Sequence, residues 1–116
     1  MRAYLGLLIL LALATACFSG DLQVGTTVQV KANSIWFEEA AQLERWQAMK
    51  KRGNAKALAA YQKKVLRRRE AWQFIYQLPV KILSYEPEKN RVEVEMQAEG
   101  RLAGSTWFLD VDAIVR

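Results

Sequence analysis

The stretch "VKILSYEPEKNRVEVEMQA", residues 80–98, decides the fold. In its second half Val92, Val94, Met96 and Ala98 fall on one side, and Arg91, Glu93, Glu95 and Gln97 on the other. Strict alternation of apolar and polar residues marks a strand with one buried and one wet face. "VKILSYE" ahead of it reads as the partner strand, and "PEKN" between them supplies turn residues. The pair is an antiparallel hairpin that buries one face only. Such a hairpin needs further strands or helices over its apolar side.

Those elements are found on both sides of it. Downstream, "EGRLAG" (99–104) is a turn, "STWFLD" (105–110) a strand and "VDAIV" (111–115) a short closing segment. Upstream, "LQVGTTVQVKA" (22–32) alternates too, with Val24, Thr26, Val28 and Val30 on one face and Thr27, Gln29 and Lys31 on the other. Between the opening strand and the hairpin the period changes to that of a helix. In residues 33–53 Asn33 or Ser34 is the expected N-cap, with Glu38 and Glu39 in the first turn. Lys50, Lys51 and Arg52 suit the last turn, and Gly53 the residue after it. Residues 54–78 read as a second helix with Leu58, Tyr61, Val65, Trp72 and Ile75 or Tyr76 on one face, stopped by Pro79. Gly53-Asn54 then joins two antiparallel helices.

The order is strand, helical hairpin, three strands: an α+β chain. "GTTVQVKA" (25–32), "VKILSYEPEKNRVEVEM" (80–96) and "GSTWFLDVDAIV" (104–115) together resemble the bacterial Src-homology-3-like barrel. Gly104 to Val115 carries the likeness best: a Gly-x-x-Trp-hydrophobic strand leading into a helical turn and a last strand. The resemblance implies a small antiparallel β-barrel over 23–116, with the basic helical hairpin inserted after the first strand at about 35–78. It also implies peptide or cell-wall ligands, with Tyr85 and Trp107 as candidate exposed aromatics near the loops. The insertion stands where that family has its first long loop, which normally lines the groove.

The chain begins differently. Met1 and Arg2 are followed by an apolar run, Leu5 to Leu13, and by the small residues Ala14, Thr15 and Ala16. This is the layout of a secretory signal over 1–16, well short of the roughly 20 apolar residues of a membrane-spanning helix. Cys17, the one cysteine of 116 residues, comes next. "ALATAC" resembles the bacterial lipobox, in which that cysteine becomes the lipidated first residue, although Ala14 stands where the family usually has Leu. That implies a lipidated tether over 17–22 and a membrane-held protein facing the periplasm. Phe18 is not the Asp that favours inner-membrane retention, so the resemblance implies the outer membrane. An ordinary cut after Ala16, releasing a soluble periplasmic or secreted product, stays open.

Charge is uneven. The formal net charge is +5. Residues 38–78 hold ten basic side chains, Arg45, Lys50, Lys51, Arg52, Lys56, Lys63, Lys64, Arg67, Arg68 and Arg69, against four acidic ones. The remainder from Cys17 onward has more acids than bases. Lys63, Lys64, Arg67, Arg68 and Arg69 are therefore candidate contacts to an anionic surface: lipid, an acidic protein or, disfavoured by export, nucleic acid. A solvated helical face is the plainer reading. Trp46 and Trp72 lie among these charges and are assigned to the core or to an interface.

Chemistry is sparse. With no histidine, no serine has the usual base, and one cysteine supplies neither a disulfide nor a thiolate cluster. Glu93 and Glu95 are expected to be solubilising. Asp110 and Asp112 in "LDVDAI" lack the other ligands of a calcium loop, so capping is their expected work. No catalytic residue, metal site or cofactor is expected. The reading is a small envelope lipoprotein that binds a protein or cell-wall ligand, with the basic hairpin on an anionic surface as the alternative.

Overall fold

A computed structural model describes residues 22–116. The expected signal, the Cys17 lipid site and the tether up to Asp21 lie outside the described residues. The elements run β1 (Thr27–Val30), β2 (Ile35–Phe37), α1 (Ala40–Arg52), α2 (Ala55–Arg67), β3 (Ala71–Gln73), β4 (Leu78–Glu86), β5 (Arg91–Met96) and β6 (Thr106–Asp110). The strands form one antiparallel sheet in the order β1-β4-β5-β6-β2-β3. The α+β architecture is as expected, but the sheet remains open, with β1 and β3 at its two ends.

The opening hairpin motif folds as its alternation dictates. Ile82 opposes Val94 and Glu86 opposes Arg91, with a register shift between Ile82 and Ser84. Val92, Val94 and Met96 are buried, while Glu93 and Glu95 are only partly covered. A 3-10 turn at Pro87–Lys89 joins the strands, and Asn90 takes φ +52° to close it. After β6 the chain makes a second 3-10 turn, Val111–Ala113, and comes back beside β1. Ile114 bridges Val30, and the Lys31 and Val115 N–H groups donate to Ala113 O (2.8 Å) and Gln29 O (2.9 Å).

Two cores result, one on each side of the sheet's β6-β2-β3 half. Strand alternation sends neighbours to opposite faces. Trp36, Trp107 and Leu109 enter the main core with Val30, Val80, Ile82, Val94 and Ile114. Phe37 and Phe108 point the other way and meet Leu43, Tyr61, Val65 and Ala71 under the helices. The hairpin therefore covers the outer face of β2, β3 and β6, and Leu22 packs on the main core from the chain's start.

The helices are shorter than their sequence pattern implies. Asn33 does not cap a helix but turns the chain at φ +67°, and residues 35–37 pair as β2. The helix begins only at Ala40, where the Glu39 N–H donates to Gln42 Oε1 (3.2 Å), so Glu38 and Glu39 precede the first turn. Its end is as expected, with Gly53 at φ +76°. Asn54 Oδ1 then accepts from the Ala57 N–H (3.0 Å) and caps α2. α2 stops at Arg67, not at residue 78, because Arg69 turns at φ +61° and Ala71–Gln73 pairs with β2. Pro79 consequently terminates nothing. It sits near the start of β4, opposite Gln29, where a missing N–H is tolerated. Val24, expected on the buried face of the first strand, precedes β1 and is exposed.

Candidate functional site

The aromatic residues are redistributed by this fold. Trp107, expected to be exposed near a loop, is 3% exposed. Its rings meet Trp36 (centroids 6.1 Å), Trp72 (6.3 Å) and Phe74 (6.4 Å) edge to face, and its Nε1–H donates to Ser105 Oγ (2.7 Å). That is packing geometry, and it corrects the expected exposure of Trp107 near a loop. The indole N–H of Trp36 inside this cluster has no hydrogen-bond partner. Tyr85 is half-buried against the main core, two strands away from Trp107. Trp72 joins the same core from a strand rather than from a helical stripe. Trp46 locks the two helices together. Its Nε1–H donates to Gln62 Oε1 (2.8 Å), and Lys50 Nζ lies 4.9 Å from its ring centroid.

The exposed apolar surface is elsewhere. Ile75 is 66% and Tyr76 70% exposed, although the helical pattern places one of them on a buried stripe. They follow β3, whose short length ends before them. Together with Phe74 and Leu78 they form one wall of a groove of about 460 Å³. Met96, Ala98 and Leu102 form the other wall, and Gln73, Glu99 and Arg101 stand at its rim. Sequence reading missed this site. Its signal was the run "FIY" at 74–76, which a helix assignment absorbed. Once the segment is a strand end, two of three consecutive large side chains have no face to bury.

A second, polar cleft of about 740 Å³ separates α1 from the β4–β5 turn and the last 3-10 turn. Its floor is Asp110, 8% exposed. Gln47 Nε2 donates to Asp110 Oδ1 (2.8 Å) and to Asn90 O (3.1 Å). The Asp112 N–H donates to Asp110 Oδ2 (2.9 Å), so Asp110 caps the 3-10 turn, as the sequence suggests. Beside the cleft Arg91 donates to Glu44 Oε2 (2.6 Å) and, through Nε, to Glu86 Oε1 (2.9 Å). This ties α1 to the β4–β5 hairpin. Glu93 and Glu95 face wet surface and accept bonds from Ser84 (3.4 Å) and Gln97 (3.1 Å).

Arg91 has a titration consequence. Its hydrogen bond holds the Glu86 carboxyl below the usual range, and the same bond raises the Arg91 guanidinium. A lowered carboxylate pKa contributes stability above the unfolded value, about 4.3. That contribution is lost as pH falls through the folded value. Urea midpoints measured from pH 7 to pH 3 should fall less steeply for Glu86→Gln than for the wild type. Parallel curves would show that the pair carries no linkage. Tyr61 is the opposite case: burial raises its phenol, so its contribution is lost only as pH climbs above the ordinary tyrosine range.

Of the basic candidates, Lys63, Lys64, Arg67 and Arg68 lie together with Ala60 on the outward face of α2. Arg69 follows the helix in its positive-φ turn. All five are exposed. Among the described residues no helix is long and apolar enough to cross a membrane, and no cluster of three or more His, Cys, Asp or Glu residues is placed to hold a metal. Neither a protein-family model, nor a characterised protein, nor a solved structure matches this chain.

Proposed function

We propose that this chain is a small exported envelope lipoprotein that works as a non-catalytic binding module. The apolar groove beside Ile75 and Tyr76 carries this reading. Large apolar side chains are rarely left two-thirds exposed side by side without an occupant. The occupant that suits the groove is an extended peptide segment of an envelope protein. The groove opens beside β3, the end strand of the sheet, where an extended chain finds backbone partners as well as pockets. Cell-wall glycan, which needs more polar walls, is a poorer fit.

In this proposal the fold is a Src-homology-3-like barrel with an enlarged first loop. The order β1-β4-β5-β6, the 3-10 turn after β6 and the return of Ile114 to Val30 support that reading. The lipid on Cys17 rests on "ALATAC" and on the lack of any other work for a lone cysteine. Anchoring in the outer membrane, facing the periplasm, rests on Phe18.

A photo-crosslinking residue at Tyr76 in intact cells tests the binding site. It should capture one envelope protein, and Ile75→Ser with crosslinking moved to Leu102 should lower the yield about tenfold, the scale of one hot-spot side chain. Unchanged yield would remove the groove from consideration. Fractionating Cys17→Ser separately tests the anchor: it should leave the membrane pellet, and wild-type distribution would refute lipidation.

A further inference from the structure

We propose that the outward face of α2 lies on an anionic phospholipid surface. On a helix, Lys56, Ala60, Lys63, Lys64 and Arg67 fall within one face, opposite the buried Val65. From Lys56 to Arg67 that face runs about 16 Å. Arg68 extends it at the helix end.

Helix stability does not account for these cations. Lys63 and Arg67, and Lys64 and Arg68, are like-charged pairs four residues apart, an arrangement that destabilises a helix. The helix dipole favours Lys64 and Arg67 in the last turn, but disfavours Lys56 in the first. None of Lys56, Lys63, Lys64, Arg67 and Arg68 forms an ion pair within 4.0 Å with a described carboxylate, although Glu39 and Glu70 share a hollow with Lys64 and Arg68.

Its extent selects among anions. Ala60, Lys63, Lys64, Arg67 and Arg68 line one open hollow of about 400 Å³, and Lys56 carries the charge a further turn along the helix, so the face offers more cations than one headgroup or phosphate occupies. It has no aromatic side chain on which a nucleic-acid base would stack, the usual means of holding single strands. A plane of anionic headgroups matches a row of long, flexible cations, each adding roughly fivefold to partitioning. The chain's start bears on proximity and not on orientation, since Leu22 packs on the main core, across the sheet from α2. If Cys17 is lipidated as proposed above, five residues reach from it to Leu22, at most about 17 Å. The folded part is then held against a bilayer.

The test uses the full chain carrying Cys17→Ser, so that no attached lipid contributes, sedimented with vesicles at low salt. Neutral phosphatidylcholine vesicles measure the background from the apolar N-terminal run. Vesicles with a third phosphatidylglycerol should bind more strongly, and the excess should vanish by about 0.5 M salt as the charges are screened. Lys63→Gln, Lys64→Gln, Arg67→Gln and Arg68→Gln combined should lower the excess by roughly several hundredfold with unchanged circular dichroism. Equal binding to both vesicle types overturns the inference, as does an excess that survives in the quadruple variant. Binding to duplex DNA or heparin but not to the anionic vesicles also overturns it. Failure here leaves the groove and the Cys17 anchor standing, because neither enters this measurement.

Discussion

Replacing Trp107 with alanine is expected to cost about 3–5 kcal/mol and to unfold much of the population at 37 °C. The ring is 3% exposed and touches Trp36, Trp72 and Phe74, so truncation opens a cavity where three other aromatic rings meet. It also removes the N–H donor to Ser105 Oγ, whose own bond to Leu102 O (2.6 Å) remains. A domain this small has a total stability of about 5–15 kcal/mol, so one such loss is a large fraction. Thermal and urea unfolding measure it directly. Tyr76→Ala is the control, since an exposed ring off the core should shift stability by less than about 0.5 kcal/mol. If Trp107→Ala unfolded like the wild type, the aromatic cluster would not be the core.

The second large effect concerns the hairpin. Leu43 is fully buried and is the one buried residue of α1, set against Phe37, Tyr61, Val65 and Ala71. Leu43→Ala should cost about 2–5 kcal/mol. The loss should be local. The main core on the other side of the sheet shares no buried residue with this cluster. Hydrogen exchange should therefore speed up in α1 and α2 well before β4 and β5. Uniform acceleration across the chain would mean that the two cores unfold as one unit. The vesicle preference of the α2 face offers an independent readout, because the face is presented only while the hairpin is docked.

The same two-core arrangement explains what was legible in the residues alone. The β4–β5 hairpin was readable because one face is wet, so apolar and polar residues alternate without exception from Arg91 to Met96. The helix junction was readable because caps are local: Gly53 and Asn54 act on bonds within a few residues. Ile35–Phe37 was not readable. Trp36 and Phe37 are both buried, one in each core, and that removes the alternation that would mark a strand. Three residues are also too few to show any period.

By itself the sequence determined the α+β class, the wet-faced hairpin, the helix junction at Gly53-Asn54 and the concentration of positive charge between residues 38 and 78. Each of these is written in neighbouring residues, where period, turn chemistry and charge count suffice. Tertiary structure alone decided that residues 71–73 leave the helix. Their partner is β2, more than thirty residues earlier in the chain, and no local preference encodes a pairing at that distance. The same pairing set the partly buried Trp72 against the buried Trp107 and left Ile75 and Tyr76 exposed. The apolar groove thus follows from a contact between distant strands, because the end of β3 leaves those two side chains beyond the last surface that could cover them.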